Sequence, residues 1–302
     1  MNSESRKILV LGSTGMFGRE LYREAIERGY NVRGAARRSA DVSLDLMDGK
    51  AIHDLITLLK PDIVINSAAI IAHKVCEEKP DLAYKINARA VDFVANASRK
   101  TGARFVQIST DHFFSGDRTK LHDEAASVRL LSEYARTKFA GEAFALNCPG
   151  ALVMRTNVTG FRNSGGVRSF IEWVFDALRS PNQINLFNDY YTSTLSTHQA
   201  AMALFDLLET DVSGRINVAC REVSSKQAFV EKVADRMGLH IDHAQSISVH
   251  EGLAKRADSC GLDVTRAESV LGYQLPVLDA VVEQLVSEYE ERNEHKKKIA
   301  VK

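Results

Sequence analysis

Three groups of residues in this 302-residue chain have the types and spacing for chemistry on a small molecule. The first is Gly12-Ser13-Thr14-Gly15-Met16-Phe17-Gly18, directly after the apolar run Ile8-Leu9-Val10-Leu11. Glycine at every third position lets a strand turn sharply into a helix, because it adopts positive φ and lacks the Cβ that would keep backbone N–H groups from a pyrophosphate. A helix opening at about Gly15 aims its positive dipole end at that phosphate. A plain turn with a helix cap is the alternative; the flanking strand and helix favour dinucleotide binding. The second group is Tyr134-Ala135-Arg136-Thr137-Lys138. Tyr and Lys four apart on a helix share one face, although in a chain with eight Tyr the pair alone could be a solvated surface. The third is Ser109-Thr110-Asp111, hydroxyls at the end of an apolar strand.

The elements that position these groups follow from punctuation and periodicity. Strands are expected at 8–11, 31–36, 62–66, 104–109, 151–155 and 215–219, with helices at 15–28, 49–60, 81–100, 170–179, 197–209 and 225–238 and one around Tyr134. Phe17, Leu21 and Ile26 are candidates for the buried side of the first helix. Pro61 stops the second helix, Thr101-Gly102 closes the third, and Ser132 is a plausible N-cap for the Tyr134 helix. Residues 111–131 read as a long polar loop, a lid or substrate contact. Trp173 at helical spacing reads as core, and the basic tail from residue 293 as frayed. Thr110 falls at the carboxyl end of its strand, where doubly wound sheets bind ligands. Arg37 and Arg38 end the second strand with no acidic residue beside them; arginine there accommodates a ribose 2′-phosphate, whereas an acid would bond a free 2′-hydroxyl. The small residues Ala68 and Ala69 after the third strand leave room for a cofactor or for close packing.

Composition narrows the classes. The chain has 45% hydrophobic and 26% charged residues, and 39 basic residues balance 39 acidic ones, which argues against a general nucleic-acid binder. Its four cysteines show no C-x-x-C pair, so they read as reduced thiols and not as a disulfide framework or metal site. The polar N-terminus has no signal-peptide core, and no run is apolar enough to span a bilayer, so a cytoplasmic protein is expected.

Taken in this order, the motifs resemble the extended short-chain dehydrogenase/reductases, and among them the dTDP-4-dehydrorhamnose reductase group. The likeness rests on the glycine turn, Asn66-Ser67-Ala68-Ala69, Ser109-Thr110-Asp111, Tyr134 to Lys138 with Ala140-Gly141-Glu142, Arg155-Thr156-Asn157, and Gly261-Leu262-Asp263 through Leu271-Gly272. It implies an α/β, Rossmann-type doubly wound parallel sheet with a smaller C-terminal substrate lobe. Residues 1–158 would bind the dinucleotide, with 188–218 returning to that domain, and 159–187 and 219–302 would mainly form the lobe. By resemblance, Asp45 and Leu46 flank the adenine, Asn87 lies near the cofactor, Asn157 contacts the sugar nucleotide and Arg256 the substrate diphosphate. Rhamnose-forming members tend to carry Trp just after that Asn; Val158 here leaves the sugar open.

The resemblance implies hydride transfer from NADP(H), or from NAD(H), to a keto group of a nucleotide sugar, with homodimers common among relatives. Tyr134 would supply the proton. A free phenol has a pKa of ~10, and Lys138 together with an oxidised nicotinamide would lower it. Thr110 would donate to the carbonyl oxygen and Asp111 could bond a sugar hydroxyl. Dehydratases of this superfamily end the Thr strand Thr-Asp-Glu; this chain reads Thr110-Asp111-His112. No cysteine adjoins Thr110, so the Cys-containing base pair of the epimerase-reductases is missing. Simple reduction of a 4-keto-6-deoxy sugar remains. The alternatives are an NAD-retaining epimerase or dehydratase and a non-catalytic, cofactor-binding regulatory subunit.

Overall fold

The computed structural model describes residues 5–162, 167–251 and 257–300, with side chains up to residue 294. Strands β1 (Lys7–Leu11), β2 (Asn31–Ala36), β3 (Val42–Ser43), β4 (Ile63–Asn66), β5 (Arg104–Ile108) and β6 (Leu152–Arg155) alternate with helices α1 (Met16–Glu27), α2 (Gly49–Leu59), α3 (His73–Glu78), α4 (Pro80–Tyr84), α5 (Ala90–Thr101) and α6 (Glu133–Leu146). After β7 (Val158–Thr159) come α7 (Phe170–Ala177), β8 (Ile184–Phe187), β9 (Tyr191–Thr192), β10 (Leu195–Ser196), α8 (Thr197–Leu208) and β11 (Gly214–Asn217). The chain then forms β12 (Ser224–Ser225), α9 (Lys226–Arg236), β13 (Ala244–Ile247), β14 (Ser259–Cys260), α10 (Thr265–Leu271) and α11 (Leu278–Ala300).

Seven strands form one parallel sheet in the order β11-β6-β5-β4-β1-β2-β3. It is a Rossmann-type doubly wound sheet, and its central strands are buried on both faces, as their unbroken apolar runs require. Strand periodicity divides the core. Ile8, Val10, Ile63, Ile65, Val106, Ile108, Leu152 and Met154 pack on one face, over which α1 and α8 lie against each other. Leu9, Leu11, Val64, Phe105 and Val153 pack on the other face, over which α2, α5 and α6 pack in turn. The segment 195–217 thus returns a helix and an edge strand to the main sheet. The remaining short strands pair in small sheets of their own, β10-β7, β12-β9-β14 and β13-β8.

Several local expectations need correction. Ile26 is 55% exposed while Ala25 is buried, because Phe17, Leu21 and Ala25 recur every four residues and Ile26 is turned off that stripe. The helix expected over 81–100 is three pieces: α4, a π-helical turn at Lys85–Arg89, and α5. Trp173 is 37% exposed and stacks on Phe170 at the surface rather than filling the core. The loop 111–131 is irregular but not simply polar. Phe113 and Phe114 are fully buried, and His122 is pinned by two hydrogen bonds of 3.0 Å to the Gly261 carbonyl. The C-terminal helix α11 was not foreseen; it continues to Ala300 past the tail expected to fray from residue 293. Ser132 does cap α6, its hydroxyl accepting from Ala135 N at 3.2 Å.

Candidate functional site

The glycine turn connects β1 to α1 and is built for close approach. Gly12 has φ +79°, and a Cβ on it would lie 2.8 Å from Ala68 N. A Cβ on Gly18 would lie 2.1 Å from Gly12 O, so this glycine serves the packing of α1 against the turn. Met16 begins α1 beside the turn, and Phe17 is buried in the core, which leaves only backbone N–H groups of these two for a phosphate. A groove of about 850 Å³ runs along the carboxyl edge of β1, β2 and β4. Gly12, Thr14 and Gly15 line it from the turn, Arg37 and Arg38 from the end of β2, Asp45 and Leu46 beyond β3, and Ala68 and Ala69 after β4. These residues, far apart in sequence, share one surface. Asn87 stands behind it. In the π-helical turn it accepts from Ile70 N at 2.8 Å and donates to Ile70 O at 3.0 Å and to Thr137 Oγ1 at 3.2 Å, fixing the backbone that forms the groove wall.

Helix α6 brings Tyr134 and Lys138 to the end of β5. Tyr134 is buried, and Thr110 stands close enough to act on its phenol. Of the expected pair, Lys138 and an oxidised nicotinamide, the lysine is not among the groups that shift the phenol by itself. Burial raises the Tyr134 pKa well above its ordinary value, with Asp111 and Cys76 pushing the same way and Thr110 opposing. Lys138 turns its ammonium to the β5 backbone and donates to Ile108 O at 2.6 Å. Burial lowers its own pKa to about 8, against the pull of Glu142. A phenol held neutral is the protonation state a proton donor needs. Ser109 plays another part: its hydroxyl donates to Glu142 at 2.6 Å, and Glu142 in turn receives two bonds of 2.8 Å from Arg155. Arg155 of the Arg-Thr-Asn motif is therefore a framework residue that locks α6 to β6.

Around the reaction centre the structure gathers residues that sequence distance concealed. Asp111 is fully buried, its carboxyl pushed up to about 6 by burial and pulled back by the Asn157 amide at 2.7 Å and by the charge of Lys226. Asn157 also accepts from Thr194 at 2.9 Å. Lys226 opens α9, against the helix dipole, which is the one sequence signal that could have marked it. His73 and His112 lie with ring centroids 4.9 and 5.5 Å from that of Tyr134, and the Tyr190 hydroxyl is 3.2 Å from His112 Nε2. Cys76 packs beside Tyr134, and Cys260 faces Asp111 and Lys226, so two thiols that are remote in sequence adjoin the centre. All four cysteines are buried and unbridged. Arg256 lies outside the described residues. Arg118, Asp189, Tyr191, His250 and Asp258 line a second cavity of about 470 Å³. Among the described residues there is no cluster that could hold a metal ion, and no helix is long and apolar enough to cross a membrane.

The chain is 27% identical over 295 residues to the probable low-salt glycan biosynthesis reductase Agl14 of Haloferax volcanii, covering 93% of this chain and 98% of that one. It is 26% identical over 298 residues to methionine adenosyltransferase 2 subunit beta of Mus musculus, covering 94% of this chain and 89% of the other. The crystal structure of dTDP-4-dehydrorhamnose reductase from Bacillus anthracis in complex with NADP superposes with a TM-score of 0.85 at 23% identity, over 95% of this chain and 100% of that one. The family model described as RmlD substrate binding domain matches residues 6–291, and with the glycine turn, the Tyr134–Lys138 helix and the seven-stranded sheet in place, the chain belongs to that family.

Proposed function

We propose that this protein is an NADP(H)-dependent reductase of a nucleotide-activated 4-keto-6-deoxy sugar, able to accept NAD(H) as the lesser cofactor. The observation that carries the reading is the meeting of Thr110 and Tyr134 at the carboxyl end of β5, with Lys138 one turn on and bonded to the Ile108 carbonyl, at the edge of the sheet that also forms the glycine-lined groove. The groove fits a dinucleotide: Gly12 leaves the space a Cβ would fill, and an α1 N-terminus follows it. Gly12, Thr14, Gly15, Met16, Phe17 and Gly18 would hold the pyrophosphate, Arg37 and Arg38 the 2′-phosphate, Asp45 and Leu46 the adenine, and Ala68, Ala69, Asn87, Tyr134 and Lys138 the nicotinamide half. When bound, reduced nicotinamide supplies the hydride.

The residues of the chain supply the rest. Tyr134 gives its phenolic proton to the sugar's carbonyl oxygen as charge develops there, and Thr110 donates a second hydrogen bond to the same oxygen. Lys138, held by the Ile108 carbonyl, bonds the nicotinamide ribose and so sets the cofactor beside Tyr134. Asp111 and Asn157 bind the sugar, while residues 159–187 and 219–302 form the substrate lobe and Arg256 grips the diphosphate. The neighbour bound to NADP is a dTDP-4-dehydrorhamnose reductase, which supports both cofactor and substrate class.

A panel of nucleotide 4-keto-6-deoxy sugars followed by NADPH absorbance tests this reading. Turnover by the wild type, with a loss of ~10²–10⁴ in Tyr134→Phe and intact NADPH binding, is the expected result. Unchanged turnover in Tyr134→Phe removes the tyrosine from its role. A second reading, a cofactor-binding regulatory subunit, draws on the full-length likeness to methionine adenosyltransferase 2 subunit beta. Its signature is tight association with a second enzyme and no NADPH consumption with any keto sugar of the panel.

A further inference from the structure

Lys226 is a cation brought to the reaction centre by the second half of the chain, and nothing in the reduction chemistry above uses it. Its position at the first turn of α9 is electrostatically unfavourable, yet the side chain folds inward rather than out to solvent. The ammonium sits 4.7 Å from the ring centroid of Phe170 and 5.7 Å from that of Tyr190, and its backbone N–H is tied to Tyr190 O at 3.0 Å. Among the described residues the ammonium's one hydrogen bond is to Thr194 Oγ1, long at 3.4 Å. An ammonium has three donors. At least two of them are therefore left for something other than the described side chains, on a group whose orientation is fixed by two aromatic rings.

Lys226 is joined to Asp111 through a short chain of side chains, its ammonium to Thr194 Oγ1 at 3.4 Å, Thr194 to Asn157 Oδ1 at 2.9 Å and Asn157 Nδ2 to Asp111 at 2.7 Å, and each charge acts on the other. Asp111 adjoins Thr110, the residue that reads the carbonyl oxygen, with Thr110 Oγ1 at 3.3 Å from Asp111 Oδ1. One carboxylate oxygen is engaged by Asn157 at 2.7 Å. A carboxylate and an ammonium set against each other offer an acceptor and a donor to a single hydroxyl: the carboxylate takes its proton and the ammonium bonds its oxygen. Because the acceptor neighbours Thr110, that hydroxyl belongs on a carbon next to the carbonyl.

We infer that Lys226 and Asp111 together read a hydroxyl vicinal to the keto group, making Lys226 a specificity-determining residue for 3-hydroxylated 4-keto sugars. The inference rests on the reductase reading and narrows its substrate class. In a 4-keto-6-deoxyhexose the other neighbouring carbon, C5, carries the methyl group and the ring oxygen and no hydroxyl, so the 3-hydroxyl is the group concerned.

The test measures kcat/KM for dTDP-4-keto-6-deoxyglucose and its 3-deoxy analogue, in the wild type, Lys226→Met and Lys226→Arg. The wild type should favour the hydroxylated ketone at least ~10-fold, the range of one charge-assisted hydrogen bond. Lys226→Met should bring that ratio near unity, mainly by raising KM for the hydroxylated ketone, and Lys226→Arg should restore part of it. NADPH titration checks that both variants are folded. If Lys226→Met slows both ketones by the same factor and the ratio survives, Lys226 only supports the fold and the inference fails while the reductase reading stands. If the wild type reduces neither ketone, the inference fails, and the reductase reading fails with it when no other keto sugar of the panel is reduced.

Discussion

Glu142 on α6 grips Arg155 on β6 through two parallel hydrogen bonds of 2.8 Å, inside the protein and with almost no solvent contact. The same carboxylate accepts from Ser109 at 2.6 Å and from Arg215 at 2.8 Å. One buried acid thus ties the Tyr134 helix to strands β5, β6 and β11, and removing it leaves the Arg155 guanidinium uncompensated. Glu142→Gln should cost about 3–5 kcal/mol in urea unfolding at pH 7. Burial pushes the Glu142 pKa up, but Arg155, Ser109 and Arg215 together hold it below the ordinary 4.5. The stabilisation is then complete above pH 4.5 and lost as the pH falls through the lower folded value. Wild type should lose stability steeply below pH 4.5 and Glu142→Gln more gently; parallel acid profiles would remove Glu142 from this role.

Lys138 carries the opposite sign. Burial lowers its pKa from 10.5 to about 8, so the folded chain resists the charge that the unfolded chain accepts. Stability from this group is present above pH 10.5 and is lost as the pH falls through about 8, which amounts to ~3 kcal/mol withheld at neutral pH. Lys138→Met removes that burden and also the bond to Ile108 O, worth ~1 kcal/mol. The variant should be inactive yet up to ~2 kcal/mol more stable at pH 7, with the gain shrinking towards pH 10. A Lys138→Met protein less stable than wild type at pH 7 would show that the ammonium is better accommodated than its burial implies.

How much of this was legible in the sequence depends on the range of the interaction. The Gly12-Gly15-Gly18 turn, the buried strands and the Ser132 cap are local patterns, and each stands where its spacing put it. Thr110, Tyr134 and Lys138 were legible because two short motifs had to meet at one sheet edge. Lys226, Tyr190 and Cys260 were not, since their approach to Asp111 and Tyr134 depends on how a separate small sheet folds back against the large one, and His73 was not because the short helix α3 that carries it against α6 has no sequence signal of its own. The π-helical turn at Lys85–Arg89 was hidden because its residues have ordinary helical propensity; it shows in the backbone bond from Ala90 N–H to Lys85 O, five residues back.

Arg37 and Arg38 are exposed at the end of β2 and line the groove. A dianionic 2′-phosphate meeting one or two guanidinium groups gains ~1.5–3 kcal/mol per contact. Wild type should bind NADPH at least ~10-fold more tightly than NADH, and Arg37→Ser/Arg38→Ser should abolish the preference without weakening NADH. Fluorescence titration with both cofactors measures this directly. Equal wild-type affinities would mean that the two arginines are only solvated.

The most direct test of the account is the reaction run in D2O with a nucleotide 4-keto-6-deoxy sugar of settled stereochemistry, NADPH in excess and mass spectrometric analysis of the product. The chain has Tyr134 as its proton donor and lacks a Glu after Asp111, so reduction alone is expected. The account predicts one NADPH oxidised per product molecule and no deuterium on any sugar carbon. Deuterium at C3 or C5, or turnover without NADPH oxidation, would contradict it.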